Sequence, residues 1–151
     1  MRYGGTLIVV KDIARSRYFY ENVMEQKVLM DLGEHVTLEN GLSLQTNYET
    51  IVGEPLNLKA EANNFQLYFE VENIEDWERR LDQTEGVEFL HHLKEYPWGQ
   101  RSMRFYDYDK HIIEVSESME CVVKRFLTQG LPIEEISKRT MYPIEFIESL
   151  S

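Results

Sequence analysis

The chain has 151 residues, 42% of them hydrophobic and 12% aromatic, so it is long and apolar enough to bury the core of one domain with a short extension. Its 27 acidic and 16 basic residues give a formal net charge of -11, which disfavours binding to nucleic acid or to an anionic membrane surface. The single cysteine, Cys121, excludes an internal disulfide and favours a cytoplasmic location, and no apolar run is long enough for a signal peptide or a membrane span.

The first half of the chain predicts a strand, a helix and three further strands. The run TLIVV (6–10) favours a short buried strand, and the helical pattern that follows begins at Asp12, a good N-cap residue. A long polar stretch, 47–64, connects this half to the next. Between the helix and this connector, runs of alternating residues predict a meander of strands over 27–32, 35–39 and 42–46.

The second half repeats the same order of elements. FQLYFEV (65–71) predicts a strand, and the segment 73–84, with Asn73 as its cap, predicts a helix. The order strand-helix-strand-strand-strand therefore occurs twice, which indicates two copies of one structural module. The three closing strands of the second copy are predicted over 87–95, 101–107 and 111–117.

A helical pattern closes the chain. Its apolar residues are too numerous for a solvated tail, so we expect these helices to dock on the body of the protein or on a partner subunit. The spacing resembles a helix-turn-helix, but the last helix carries Glu145 and Glu148 and no basic residue, which disfavours DNA binding. Helices are predicted over 119–129, 132–140 and 142–150, with Gly130 ending the first.

Two stretches of the chain carry a resemblance to a known family. The segment PWGQRSMRFYDYDKHIIEV (97–115) forms a closing hairpin, and the opening segment carries the pattern V-x-D-[IL]-x-x-S-x-x-FY. The residues of that pattern are Val10, Asp12, Ile13, Ser16, Phe19 and Tyr20. The chain thus resembles the vicinal oxygen chelate superfamily, which contains glyoxalase I, bleomycin- and fosfomycin-resistance proteins and extradiol dioxygenases.

The resemblance implies an α+β fold of paired βαβββ modules, the glyoxalase/bleomycin resistance-like cup, with a C-terminal helical appendix. It places this domain at residues 1–118, with modules at about 1–46 and 65–118, and the helical extension at 119–151. For activity the resemblance is less informative, because one fold of this kind hosts many chemistries.

In the family, a divalent metal takes one ligand from the first and one from the last strand of each module. The matching positions here are Gly5 and Gln66 on the first strands and Gln45 and Glu114 on the last strands. Glycine offers no ligand atom, and an amide is a weak neutral ligand for zinc, nickel or iron. We therefore expect no metal cofactor; the alternative is a divalent metal held by Gln45, Gln66 and Glu114.

Strand alternation separates a polar from an apolar set in both modules, since successive side chains point to opposite faces. Glu114, for example, alternates with the apolar residues Ile113 and Val115. The polar set is expected to line the cup. It comprises the predicted ligand-binding residues Gln45, Gln66, Tyr68, Glu70, Ser102, Arg104 and Tyr106, together with Glu114.

Two roles remain open for each of the charged residues in this set. Glu114 is either a catalytic base or ligand-binding acid, or a carboxylate that pairs with Arg104 on a neighbouring strand. Arg104 either neutralises Glu70 or Glu114, or forms bidentate hydrogen bonds to a carboxylate or phosphate of a substrate.

The first functional hypothesis is a binding protein that holds a small polar or aromatic molecule in its cup without a complete metal site. The alternative is an enzyme, a metal-dependent glyoxalase I-like lyase with Glu114 as the catalytic residue. For either function we expect a homodimer in the cytoplasm, since the exposed sheet edges give a physical reason to pair, and neither nucleic acid nor a membrane as partner.

The turns depart from the family pattern. The family's DPDG turn is DYDK (107–110) here, so the hairpin lacks its usual proline and glycine. Glu25 stands where a glycine usually ends the first helix, and a left-handed conformation there costs about 1 kcal/mol.

Overall fold

The computed structural model describes the whole chain, Met1–Ser151. The chain divides into two compact units, one of residues 1–65 with 107–111 and one of residues 66–106 with 112–151. Each unit contains one four-stranded sheet with its helices. The predicted α+β class, with two βαβββ modules and a C-terminal helical appendix, is confirmed.

The first unit is built on a sheet with strand order β1-β4-β3-β2, in which β1 and β4 are parallel and the other neighbours are antiparallel. Its last helix, α2, lies inside the stretch predicted as a polar connector. The elements are β1 (Thr6–Val9), α1 (Ile13–Tyr18), a π-helical turn that continues α1 (Phe19–Val23), β2 (Val28–Asp31), β3 (His35–Leu38), β4 (Leu42–Gln45) and α2 (Tyr48–Val52).

The core of the first unit follows from strand and helix periodicity. Alternate residues of β3 and β4 are buried, and the π-helical turn contributes Phe19 and Tyr20, both fully buried. Asp12 caps α1 as predicted, since its carboxylate accepts the Arg15 backbone N–H at 3.0 Å. The other buried apolar side chains of this unit are Ile8, Val10, Val23, Met24, Val36, Leu38, Leu42 and Leu44.

The second unit repeats the arrangement with strand order β5-β8-β7-β6, in which β5 and β8 are parallel. Asn73 occupies the predicted N-cap position of its helix, and its side chain makes no capping hydrogen bond. The elements are β5 (Gln66–Val71), α3 (Ile74–Asp82), β6 (Glu88–Glu95), β7 (Arg101–Tyr106) and β8 (Ile112–Glu117).

Three C-terminal helices belong to the second unit: α4 (Met119–Thr128), α5 (Ile133–Thr140) and α6 (Ile144–Glu148). Their apolar faces meet in one buried cluster, and Phe126 of α4 packs against Gly99 of the turn between β6 and β7, so the appendix is docked and not a solvated tail. None of the helices in the chain has the length and apolar character that a membrane span requires. The fully or almost fully buried members of the cluster are Val122, Val123, Phe126, Ile136 and Ile147.

A buried carboxylate, Glu117, holds the junction between β8 and α4. It accepts hydrogen bonds from Arg101 Nη2 at 2.5 Å and from Arg125 Nη2 at 3.0 Å, and it is only 2% exposed. Burial alone would raise the pKa of Glu117, but the hydrogen bonds and charges of the two guanidinium groups outweigh burial and hold that pKa below its ordinary value. The charged form of Glu117 therefore stabilises the docked appendix.

The hairpin turn between β7 and β8 is held by the side chain of Asp107. Its Oδ1 accepts the backbone N–H groups of Asp109 and His111, each at 2.9 Å, which substitutes for the missing proline and glycine. Lys110, at the glycine position of the family turn, has φ 70°, and Glu25 has φ 55°, so both adopt the left-handed conformation. Glu25 therefore bears the cost of about 1 kcal/mol that this conformation has for a residue other than glycine.

Candidate functional site

One face of the second sheet carries polar side chains from three neighbouring strands. Glu114 pairs with Tyr68 on one side and with Arg104 on the other, and directly paired residues project from the same face. This face holds every site residue that the sequence predicts for the second module. We call it the polar face; its residues are Gln66, Tyr68, Glu70, Ser102, Arg104, Tyr106, Glu114 and Ser116.

Glu114 lies on the central strand of the polar face and is 6% exposed. Its Oε2 accepts hydrogen bonds from Gln66 Nε2 at 2.7 Å and from the Arg104 guanidinium, and its Oε1 accepts the Ser116 hydroxyl at 2.8 Å. A buried carboxylate is costly unless it is paired, and here one cation and two neutral donors satisfy it. Of the two roles open for Glu114, the ion pair with Arg104 is the one present in this structure.

Arg104 is held on every side of its guanidinium group. Nε donates to Gln66 Oε1 at 3.2 Å, and Nη2 donates to Glu114. Nη1 donates to the Tyr96 hydroxyl and lies 3.1 Å from His91 Nε2. The guanidinium plane therefore has a fixed orientation, set by side chains from β5, β6 and β8 and from the turn after β6.

Aromatic side chains stand beside this ion pair. Tyr96 and Trp98 stack with ring centroids 4.7 Å apart, while Trp98 and Tyr68 are 41% and 47% exposed. Gln100 joins them, since its Nε2 donates to the Tyr68 hydroxyl at 3.1 Å and its Oε1 accepts Trp98 Nε1–H at 3.1 Å. We call Tyr68, Tyr96 and Trp98 the aromatic cluster. It offers ring surface to solvent at a place where hydrogen-bonding groups are also within reach.

The two tyrosines of the aromatic cluster differ in their acidity. Burial and the hydrogen bond that its hydroxyl donates to Glu70 at 2.8 Å raise the pKa of Tyr68 to about 12. Burial would also raise the pKa of Tyr96, but hydrogen bonds from neighbouring side chains, Lys94 and Arg104 among them, outweigh burial and lower it. Tyr68 therefore stays a protonated donor, while Tyr96 serves as an acceptor for the guanidinium.

Not all predicted residues of the polar face are accessible. Ser102 is fully buried, so a ligand cannot reach it in this conformation. Glu70 is exposed and binds the Tyr68 hydroxyl. Tyr106 is partly buried at the end of β7, where it pairs with Ile112. We therefore leave Ser102 out of the proposed ligand surface.

Gln45 lies in the first unit and is 1% exposed. Its Nε2 donates to the carbonyl oxygens of Glu34 at 3.0 Å and Thr46 at 2.6 Å, and its Oε1 lies 2.7 Å from His35 Nδ1. Every polar atom of this amide is therefore engaged within the protein. The arrangement holds β3 and β4 together and leaves no atom of Gln45 free for a ligand.

The strand ladders also revise the correspondence between the two modules. Leu7 pairs with Ser43 in the first unit, and Tyr68 pairs with Glu114 in the second. Leu7 and Tyr68 both lie two residues after the first-strand positions that the resemblance matches. If Gly5 corresponds to Gln66, then Ser43 corresponds to Glu114, so the match of Gly5 with Gln66 and the match of Gln45 with Glu114 are two residues out of register with each other.

Four residues around the ion pair were not predicted from the sequence. The strand β6 carries register irregularities between Phe89 and His91 and again between His91 and Lys94, which removes the regular alternation on which the prediction depends. A usable signal was nevertheless present in the turn YPWGQ (96–100), which places two aromatic rings and an amide within five residues. The residues missed are His91, Tyr96, Trp98 and Gln100.

A cavity of about 380 Å³ lies in the first unit, but none of the predicted site residues lines it. Its walls come mainly from apolar side chains of β1 and of the segment 58–62. Of its acidic wall residues, Asp109 is already used, since it accepts Lys11 N–H and the Ser16 hydroxyl, each at 3.1 Å. The polar face, with its exposed rings and its fixed ion pair, offers the more specific chemistry.

The family model of a glyoxalase-like domain matches residues 3–120. The crystal structure of a protein of unknown function from Agrobacterium tumefaciens str. C58 is 35% identical, with a TM-score of 0.72 over 78% of this chain and 94% of that one. No curated protein shows a significant match.

Two more distant structures show similarity of fold alone. Lactoylglutathione lyase from Agrobacterium tumefaciens is 20% identical, with a TM-score of 0.60 over 78% of this chain and 93% of that one. The fosfomycin resistance protein FosX from Listeria monocytogenes is 21% identical, with a TM-score of 0.57 over the same shares of the two chains.

Proposed function

The chain belongs to the glyoxalase-like domain family of the vicinal oxygen chelate superfamily, and we propose that it binds a small molecule on the polar face without the help of a divalent metal. One observation carries this proposal. The Glu114 carboxylate is bonded by the Arg104 guanidinium and the Gln66 amide, so its charge is already neutralised by a side chain of the same sheet.

The donor set does not fit a divalent metal. Glu114 is the one anion of the three alternative ligands, and its Oε2 already accepts from a guanidinium that would repel a second cation at that oxygen. The Gln66 carbonyl oxygen accepts from Arg104, and the atoms of Gln45 are engaged elsewhere. No three His, Cys, Asp or Glu side chains form a metal-binding group. This donor set favours a metal-free site, which stays a prediction.

The ligand that this surface suits is a small molecule with a planar ring and hydrogen-bonding groups. Tyr68 and Trp98 are 47% and 41% exposed, and stacking on an aromatic ring contributes about 0.5–1.5 kcal/mol beyond area burial. Glu70 and the Tyr68 hydroxyl lie beside the rings and can accept or donate hydrogen bonds. The charges of Glu114 and Arg104 balance, so the surface does not demand a strongly charged ligand.

The alternative, a metal-dependent glyoxalase I-like lyase, keeps one supporting observation. Gln66 and Glu114, on adjacent strands, lie within 2.7 Å of one another and project from one face. Such an enzyme also needs a carboxylate base, and Glu114 would have to serve as ligand and base at once. For this reason we rank the binding protein first.

We further propose that the protein acts as a homodimer in the cytoplasm. β2 is an edge strand of the first sheet, and Leu29 on it and Leu32 just after it are 66% and 67% exposed, apolar surface that a partner subunit can cover. The one cysteine, Cys121, is a free thiol, which suits a reducing compartment. The acidic chain, with a net charge of -11, supports neither nucleic acid nor an anionic membrane as partner.

Native mass spectrometry of the protein purified from cells tests the binding proposal, because a ligand held on the polar face adds its mass to the folded protein. The molecule identified would then be titrated calorimetrically into wild type, Tyr68→Leu and Arg104→Met. We expect each substitution to weaken binding by at least about tenfold, which corresponds to about 1.4 kcal/mol.

A matched control is Arg79→Met, since Arg79 is an exposed arginine of the same unit, on α3. It should leave the affinity unchanged. Equal affinity in wild type, Tyr68→Leu and Arg104→Met would show that the molecule binds elsewhere and would contradict the proposal.

A further inference from the structure

The turn 96–100 connects β6 to β7 and is closed by two backbone hydrogen bonds within it. Tyr96 N–H donates to the Gln100 carbonyl, and Gly99 N–H donates to the Tyr96 carbonyl, both at 2.8 Å. Gly99 has φ +89°, which favours glycine. The turn therefore has a defined backbone from which its side chains project.

On one side, this turn supplies the polar face. Tyr96 accepts from the Arg104 guanidinium, and Gln100 bridges Tyr68 and Trp98. A small displacement of the turn would therefore move the aromatic cluster and release one of the groups that orient Arg104.

On its other side, the turn is held by the C-terminal helices. Arg125 of α4 donates to the Gly99 carbonyl at 2.6 Å, and Arg139 of α5 donates to the Pro97 carbonyl at 3.2 Å. Both arginines also bind Glu95 at the end of β6, at 3.1 Å and 2.5 Å. Helices α4 and α5 thus each donate a hydrogen bond to the backbone of the turn and form an ion pair with Glu95, the residue before it.

An apolar contact between α4 and the turn adds to these polar contacts. The ring of Phe126 lies against Gly99 so closely that a Cβ added to Gly99 would lie 2.3 Å from Phe126 Cζ. Arg139 lies over the same ring, with its Cζ 4.5 Å from the centroid. Phe126 is 1% exposed and belongs to the buried cluster of the appendix. The contact with the Phe126 ring therefore fixes the position of the turn on the side of the appendix.

We infer that α4 and α5 are positioning elements of the ligand site: they hold the turn 96–100 in the conformation that places Tyr96 on Arg104 and places Trp98 and Gln100 beside Tyr68. Phe126, Arg125 and Arg139 act through the turn and do not touch the polar face themselves. The inference deepens the proposed function, on which its relevance to ligand binding rests. The family match ends at residue 120, so these three positioning residues lie outside it.

The test reads the geometry of the ligand-free protein by NMR. Two signals report the site: the Trp98 indole N–H, which is hydrogen-bonded to Gln100, and the Arg104 Nε–H, which is hydrogen-bonded to Gln66. A Trp77→Phe background leaves Trp98 as the one remaining indole, since the chain has 2 tryptophans.

Phe126→Leu and Arg139→Met should make the Trp98 indole proton exchange with solvent several-fold faster and should shift the Arg104 Nε–H resonance. Arg139 is partly exposed, so its variant is expected to fold even if Phe126→Leu does not.

Two controls separate positioning from simple stability. Ile147→Ala opens a hole in the same buried cluster, but Ile147 lies on α6, which sends no hydrogen bond to the turn. Lys124→Met removes one positive charge from α4, as Arg139→Met removes one from α5, at an exposed residue paired with Glu120. Both controls should leave the two signals unchanged, whatever their effect on the melting temperature.

The inference would be overturned if Arg139→Met left both signals in place. It would equally be overturned if Ile147→Ala, at matched loss of stability, moved them as far as Phe126→Leu does. Because the signals are read without a ligand, these outcomes do not depend on whether the polar face binds a small molecule. A failed ligand search would count against the proposed function alone.

Discussion

Arg104 and Glu114 lie directly opposite one another on β7 and β8 and form an ion pair whose carboxylate side chain is 8% exposed. Replacing one partner of such a pair with an apolar residue leaves the other charge buried without a partner, which is costly. Replacing both partners with apolar residues of similar volume leaves no unpaired charge. The pair is therefore a constraint on the whole polar face, because Gln66 bonds to both of its members.

A double-mutant cycle measures this constraint. We expect Arg104→Met to lower the free energy of unfolding by about 3 kcal/mol, and we expect Arg104→Met with Glu114→Met to recover much of that loss. The coupling energy from urea unfolding should be about 1–3 kcal/mol.

The control cycle uses Arg79 and Asp76, an ion pair on α3 whose side chains are 67% and 66% exposed. Its coupling energy should stay below about 1 kcal/mol. A coupling energy for Arg104 and Glu114 no larger than this control would show that the two charges are solvated independently.

Glu117 predicts a specific dependence of stability on pH. Its folded-state pKa lies below the ordinary value of 4.5, because Arg101 and Arg125 favour the charged form. A depressed folded-state pKa contributes stability that is present above the unfolded pKa and is lost as the pH falls through the folded pKa. The free energy of unfolding should therefore fall below about pH 4.5, and part of this fall should vanish in Glu117→Gln. Identical pH profiles of the two proteins would contradict the assignment.

The appendix should contribute to the stability of the second unit. Ile136 is fully buried in the apolar cluster, so Ile136→Ala should lower the free energy of unfolding by about 2–5 kcal/mol. Ile144, at 40% exposed, is the matched control, and Ile144→Ala should cost clearly less. Deleting residues 119–151 should lower stability or solubility; an unchanged melting temperature and particle mass would mean that the appendix does not dock.

The proposed homodimer is tested by light scattering at micromolar concentration. The wild type should show twice the mass of the 18.0 kDa chain. Leu29→Lys with Leu32→Lys, at exposed positions on and just after β2, should shift the mass towards the monomer. A monomeric wild type would contradict the proposal, and a dimer untouched by the two lysines would place its interface elsewhere.

Much of the fold follows from the sequence because the period of apolar residues changes cleanly between strands and helices. Strand alternation predicts Gln66, Arg104 and Glu114 on one face, since the side-chain period of a strand is two. The same rule failed on β6, because its irregular register breaks the two-residue period. Strand alternation therefore does not reveal that His91 lies beside Arg104. Periodicity also carries no information on turns, so Tyr96 and Gln100 were missed.

The sequence predicts which face of a strand a side chain projects from better than it predicts how deeply that side chain is buried. Ser102 and Arg104 project from the same face of β7, yet Ser102 is fully buried while Arg104 keeps part of its side chain in water. Gln45 was predicted as a ligand-binding residue because it is polar and faces the expected cup. In the structure its amide closes a local hydrogen-bond network, and a single sequence does not reveal which partners an amide will find.

The measurement that tests the account most directly is metal content combined with metal titration. Elemental analysis of the purified protein, followed by calorimetric titration with nickel, cobalt and zinc, should show well under one equivalent of bound metal and no turnover of the methylglyoxal–glutathione adduct. Glu114→Gln should behave like the wild type in both assays. One equivalent of metal in the wild type that is lost in Glu114→Gln, or metal-stimulated turnover lost with it, would contradict a binding site neutralised by Arg104 and would favour the lyase.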